Sequence, residues 1–155
     1  MFLAGFFVFV KENCVEDKNC TILMIDDNPL IMGMNRDALN RLGYRVLEAE
    51  TICQGRILFE TEKPDLIVME TILPDGGGLR FCKEIRCQSR VPIMFVSIHG
   101  TAQDEIAGLD AGCSAYVSKP CNPGMLVARI KALLCSESRL EDMAFDIAMK
   151  NNRMD

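Results

Sequence analysis

The stretch PDLIVMETILPDGGG, residues 64–78, sets an unbroken apolar run between Pro64-Asp65 and a glycine-rich turn. A short apolar run with boundaries of that kind reads as a buried strand. A strand with no polar interruption needs cover on both faces, as in a parallel sheet between two helical layers. Glu70 closes the run, so a carboxylate stands at the carboxyl end of a central strand. Its role there decides what the chain does.

Working outward, four more runs have the same character: TILMI (21–25), RVLEA (45–49), PIMFVS (92–97) and AYVS (115–118). Amphipathic segments separate them. Ile31, Met34, Ala38 and Leu42 recur at spacings of three and four, with Pro29 near the start and Gly43 just past the end. Leu79, Cys82 and Ile85 repeat the helical pattern, as do Ile106 with Leu109, and Leu126, Ile130 and Leu133. Five β–α units in succession predict an α/β fold: a doubly wound, five-stranded parallel sheet with helices on both faces. In such sheets the working site lies at the carboxyl ends of the strands.

Composition narrows the function classes. The 155 residues are 49% hydrophobic and 25% charged, enough for one domain with a sizeable core. Net charge is −5 and the basic residues are scattered, which disfavours direct nucleic-acid binding. Eight cysteines without a C-x-x-C pair, beside a single histidine, lack the usual zinc spacings. They read as reduced thiols of a cytoplasmic protein, with a disulfide scaffold as the alternative. The opening MFLAGFFVFV is half the length of a membrane span, and Lys11 follows the apolar run where a secretory signal would put its charge first. It reads as a loosely ordered extension, with self-association or a membrane surface as the sharper alternative.

The strand ends carry Asp26-Asp27, Glu70, Ser97 and Lys119-Pro120. Three acids at one edge raise one another's pKa unless a cation sits among them, and Mg2+ suits such oxygen donors. Asp26, Asp27 and Glu70 are therefore the candidate metal ligands. Lys119 adds a positive charge and Ser97 a hydroxyl, completing a site for a metal and a small oxyanion such as a phosphoryl group. The plainer readings are helix-capping acids at Asp26-Asp27, a solvated lysine, and a serine that merely ends its strand.

ILMIDDNP, PDLIVMETILPDGGG, VPIMFVS and GLDAGCSAYVSKP, in that order, resemble the receiver domain of two-component response regulators, CheY-like in type, across roughly residues 20–135. The resemblance implies a cytoplasmic signalling switch without turnover of its own. It matches Asp26 and Asp27 to the family's Mg2+-holding acids and Ser97 to the hydroxyl that follows the phosphoryl group. Lys119 matches the site lysine, Pro120 the proline after a cis peptide bond, and Tyr116 the aromatic that swings inward on activation. Glu70 stands where the family carries the aspartate that receives the phosphoryl group. Ile98 stands where a small residue is usual, and His99 receives no role.

Three readings of Glu70 follow. As an acceptor, its extra methylene displaces the carboxylate by about 1.5 Å, and misplacement of that order costs about a hundredfold in a transfer reaction. As a mimic, it carries permanent negative charge toward Lys119 and Ser97, though a phosphoryl group carries more charge and a third oxygen. As a relic, it marks a lost switch in a surviving binding module. The expected organisation is an N-terminal apolar extension (1–19), a receiver-like domain (20–135) and a C-terminal helical extension (136–155), where Ser138 and Glu141 form a capping-box pattern ahead of Leu140, Met143, Ala144 and Ile147. That last segment reads as an extra helix packed on its own domain, or as a docking helix for a partner or a second copy.

The leading expectation is a stand-alone, atypical receiver that works by protein–protein contact with a histidine kinase or a downstream signalling protein, without normal aspartate phosphorylation. A response regulator phosphorylated by a histidine kinase is the alternative within the family. A Mg2+-dependent phosphohydrolase would use Asp26, Asp27 and Glu70 but lacks a second acid two residues beyond a nucleophilic aspartate. A flavin protein shares the fold type but would want hydroxyls and glycines in the first loop, where this chain has acids.

Overall fold

Successive side chains of the central strands point to opposite faces of a single parallel sheet and divide the core into two layers. The computed structural model describes residues 19–152. Its strands are β1 (Thr21–Ile25), β2 (Arg45–Ala49), β3 (Leu66–Met69), β6 (Ile93–Ser97) and β7 (Ala115–Ser118), ordered β2-β1-β3-β6-β7 with every neighbouring pair parallel. A two-stranded antiparallel hairpin, β4 (Ile72–Leu73) with β5 (Gly76–Gly77), follows β3. The helices are α1 (Pro29–Arg41), α2 (Ile52–Glu62), α3 (Gly78–Arg86), α4 (Ala102–Asp110) and α5 (Pro123–Asn152). This is the five-stranded doubly wound architecture that the strand pattern predicts. The apolar opening of the chain falls outside the described residues.

Ile22, Met24, Leu66, Val68, Met94 and Val96 point to the face covered by α1 and α5, where Met32, Leu39, Leu126 and Ile130 meet them. Leu23, Ile25, Ile67, Met69 and Phe95 point to the other, against Ile52 of α2 and Phe81, Cys82 and Ile85 of α3. Each fully buried side chain of this size contributes about 1.5–3 kcal/mol by leaving water, so the central strands β1, β3 and β6 anchor the fold.

Two helices turn a different face inward from the one their apolar spacing suggests. In α1 the buried positions are Met32, Asn35 and Leu39, while Met34 and Leu42 are exposed. In α4, Ile106 and Leu109 stand 56% and 53% exposed, and Gly108 is the buried residue. A Cβ on Gly108 would lie 2.7 Å from the Tyr116 ring. The inward face of α4 is thus chosen by its lack of a side chain, which lets the ring lie against the helix backbone.

Local chemistry fixes the helix starts. Asn28 caps α1, its side chain accepting from the amides of Leu30 and Ile31, with Pro29 in the first turn. The capping role therefore belongs to Asn28 and leaves the two preceding acids for other work. Asp75, in the turn of the hairpin, accepts from the amides of Ile52 and Cys53 and so ties the post-β3 loop to the start of α2. The expected extra C-terminal helix is not a separate element: within the described residues α5 runs unbroken to Asn152. No helix begins at Ser138, whose side chain, like that of Glu141, lies outside the description.

Among the described residues six cysteines are free thiols, Cys82 and Cys113 of them buried. Cys135 is disulfide-bonded, which departs from an all-thiol chain. Among the described residues no helix is long and apolar enough to cross a membrane.

Candidate functional site

Strand register assembles the site. Ile25 pairs with Met69, and Met69 with Phe95, so the next residues, Asp26 and Glu70, emerge side by side at the carboxyl edge. Ser97 pairs with Ser118, which brings Lys119 to the same edge. The ladder continues just past the strands: the Asp26 amide donates to the Ala49 carbonyl at 3.0 Å, the Glu70 amide to the Ile25 carbonyl at 3.0 Å, and the Lys119 amide to the Ser97 carbonyl at 2.7 Å. The backbone beneath each functional side chain is therefore held by the sheet. The Lys119–Pro120 peptide bond is cis.

Lys119 Nζ lies between two carboxylates, 2.8 Å from Asp26 Oδ2 and 2.9 Å from Glu70 Oε2. Asp26 and Glu70 are both buried, whereas Asp27 is exposed. The second oxygen of Asp26 accepts from the Asn28 amide at 2.9 Å. The second oxygen of Glu70 accepts from the Thr71 amide at 2.8 Å and from the Thr71 hydroxyl at 3.1 Å. Every carboxylate oxygen of the buried pair thus has a donor.

These contacts set the charge states. Burial alone would push the Glu70 carboxyl up; the Ser97 hydroxyl, Lys119 and the Thr71 amide outweigh it and hold the group below its ordinary 4.5. Burial alone would lower Lys119, but its bonds to Asp26 and Glu70 raise it above 10.5. At neutral pH Lys119 is therefore an ammonium ion paired with an ionised Glu70.

Ser97 is fully buried, and its Oγ lies 2.7 Å from Thr71 Oγ1. The His99 amide donates to Ser97 Oγ at 3.0 Å, and the Tyr116 hydroxyl donates to the His99 carbonyl. His99 contributes through its backbone. Tyr116 is half-buried, its ring 6.0 Å from that of Phe95 and tilted by 46°. Ile98 is exposed and, with Ile31, Asn35, Val96, Lys119 and Leu126, lines a groove of about 380 Å³ beside the site.

Thr71 escaped the sequence reading, although it lies inside the opening stretch. The available signal was a hydroxyl residue next to a strand-end acid. It is 6% exposed because the chain bends back immediately after β3. The Gly78 amide donates to the Thr71 carbonyl at 2.7 Å, and a Cβ on Gly78 would collide with the Glu70 carbonyl oxygen. Gly78 thereby permits the close approach that buries Glu70 and Thr71 together.

Five parallel strands with an acid pair, a hydroxyl and a lysine at their carboxyl edge form a receiver-type domain. Residues 22–131 match the family model of the response regulator receiver domain, and the chain belongs to that family. It is 37% identical over 138 residues to the KDP operon transcriptional regulatory protein KdpE of Escherichia coli, covering 83% of this chain and 61% of that protein. It is 36% identical over 138 residues to the alkaline phosphatase synthesis transcriptional regulatory protein PhoP of Bacillus subtilis, covering 88% and 56%. The chain thus spans about six-tenths of the length of these curated relatives. Among solved structures, a two-component response regulator from Clostridium difficile matches with a TM-score of 0.72 at 30% identity, over 74% of this chain and 95% of that one. A CheY-like receiver domain protein from Methanospirillum hungatei matches with a TM-score of 0.73 at 27% identity, over 77% and 97%.

Receiver domains typically bind Mg2+ in an acidic pocket. Asp26, Asp27 and Glu70 fit that ion by donor chemistry, all being hard oxygen ligands. Among the described residues, however, no three acidic, cysteine or histidine side chains converge as a metal-holding group. The Lys119 ammonium stands as the cation between Asp26 and Glu70.

Proposed function

We propose that this chain is an atypical receiver domain that acts in two-component-type signalling through protein–protein contacts, with Glu70 as a permanent anion in place of a phosphorylated aspartate. The observation that carries this reading is the engagement of Glu70. Its carboxylate reaches the Lys119 ammonium with one oxygen and Thr71, which bonds Ser97, with the other. A negative charge is thus applied to the lysine and hydroxyl positions without any transfer step. No bond is made or broken at such a site, so the domain has no turnover.

Mg2+, if bound by Asp26, Asp27 and Glu70, would neutralise carboxylate charge at the site. Within this reading it competes with Lys119 for the same oxygens and is dispensable. A histidine kinase or a downstream signalling protein is the proposed partner, in the cytoplasm. The groove beside Lys119 and the exposed Leu140, Met143 and Ile147 of α5 supply apolar contact area for a partner or a second copy. The scattered charge gives this domain no nucleic-acid surface. The relatives' names describe transcriptional regulators, and this chain is proposed to share their signalling input.

Incubation with a small phosphodonor and Mg2+, read by intact mass, tests the reading. The native chain is expected to stay unmodified while Glu70→Asp gains one phosphoryl group. Stable phosphate on the native chain would overturn the proposal in favour of a working response regulator.

A further inference from the structure

We infer that Thr71 is a positioning residue: its hydroxyl relays the Glu70 charge to Ser97 and, through the His99 backbone, sets the orientation of Tyr116. The inference rests on the reading of Glu70 as a permanent anion and adds the residue through which that anion acts.

Counting hydrogens gives the relay its direction. An ionised carboxylate only accepts, and Thr71 has a single hydroxyl hydrogen, which goes to Glu70 Oε1 at 3.1 Å. In the 2.7 Å contact between Thr71 Oγ1 and Ser97 Oγ, Ser97 is then the donor, and the same hydroxyl lies close enough to Glu70 to help hold its carboxyl low. Ser97 Oγ in turn accepts the His99 amide at 3.0 Å. Every hydrogen from His99 through Ser97 and Thr71 points toward the carboxylate. A chain ordered in this way strengthens as it shortens, and it is shielded from competing water because Ser97, Thr71 and Glu70 are all buried.

The far end of the relay is the peptide backbone around His99. Its amide is held by Ser97, and its carbonyl accepts the Tyr116 hydroxyl. The Tyr116 ring is confined on one side by Phe95 and on the other by the bare backbone of Gly108. Loss of the order at Thr71 releases Ser97 to rotate, then the loop at His99, then the tyrosine. Valine has the shape of threonine without its hydroxyl, so Thr71→Val removes the relay and keeps the packing. Thr71→Ser keeps the relay.

The chain has two tyrosines, Tyr44 and Tyr116, and no tryptophan, so 3-fluorotyrosine labelling gives two fluorine resonances. Tyr44 is buried in the core on the α1–α5 face and reports on the fold as a whole. In Thr71→Val the Tyr116 resonance is expected to shift or split while that of Tyr44 stays, and Thr71→Ser is expected to keep the native Tyr116 position. An unmoved Tyr116 resonance in Thr71→Val overturns the inference, as does a Thr71→Ser variant that behaves like Thr71→Val. Should Thr71→Val move both resonances, Thr71→Ala, without the second methyl, decides by the same criteria. The phosphodonor experiment separates this relay from the reading beneath it. Phosphate uptake together with a shifted Tyr116 would leave the relay standing and remove the permanent anion; no uptake with an unmoved Tyr116 would do the reverse.

Discussion

Replacing Lys119 by methionine keeps an unbranched stem of similar length and deletes the one cation between Asp26 and Glu70. At 2.8 and 2.9 Å each attraction amounts to about 6 kcal/mol at an effective dielectric of about 20. Much of that is offset by the cost of taking the charges out of water. The relevant figure is the loss on removing one partner of a buried pair, about 3–5 kcal/mol. Burial decides between that figure and the roughly 0–1 kcal/mol of an exposed pair. The Lys119, Asp26 and Glu70 side chains are 11%, 11% and 6% exposed, against 42% and 44% for Arg56 and Glu84. With a urea slope of about 2 kcal/mol/M, a loss of about 4 kcal/mol lowers the unfolding midpoint by about 2 M.

The pH dependence adds an independent check. In the native chain the depressed Glu70 pKa contributes stability that is complete above 4.5 and is lost as pH falls through the lower folded value. In Lys119→Met the contributions of the lysine that hold the Glu70 carboxyl down are lost while burial remains, so its pKa rises and protonation relieves the orphaned group. The gap between the two proteins should therefore narrow as pH is lowered toward 4.5. Mg2+ should restore part of the variant's stability at neutral pH and do little for the native chain. Urea titrations at neutral and acid pH, with and without Mg2+, measure all of this. A midpoint drop under about 0.5 M, with no dependence on pH, would refute the reasoning.

Gly78→Ala should lower stability by about 1–3 kcal/mol, because its Cβ would meet the Glu70 carbonyl and the Thr71 Cα, whereas Gly77→Ala, with open space around its Cβ, should stay within about 0.5 kcal/mol; urea titration checks both. Burial pushes the Cys113 thiol up to about 11, so it should react with a thiol reagent at mildly alkaline pH far more slowly than exposed Cys53 and Cys87, and at the rate of global unfolding. Mass mapping of the modified residues over time gives that order.

The strands were legible because each short run stops at a chemically distinct residue, whereas their order in the sheet was not read from the sequence. The helix faces were less legible. In α1 the inward position between Met32 and Leu39 is Asn35, and a polar residue there shifts an apolar-only reading of the stripe by one position. In α4 the inward mark is Gly108, whose selection depends on Tyr116, a partner distant along the chain. The site acids, hydroxyl and lysine could be named from strand ends alone. Their pairing could not, since the placement of one ammonium between two carboxylates depends on the register of β1, β3, β6 and β7 together. Thr71 lay hidden for a related reason: alternation along β3 does not say which way the chain turns after it.

The central claim is that Glu70 holds a fixed negative charge, tied to Lys119, at the acceptor position. Carboxyl carbon NMR on glutamate-labelled protein, with Glu70→Gln to assign the resonance, measures that charge directly. Glu70 is expected to titrate below its ordinary 4.5 in the native chain and to move upward in Lys119→Met. A Glu70 carboxyl that titrates above 4.5 in the native chain, unchanged when Lys119 is replaced, would contradict it.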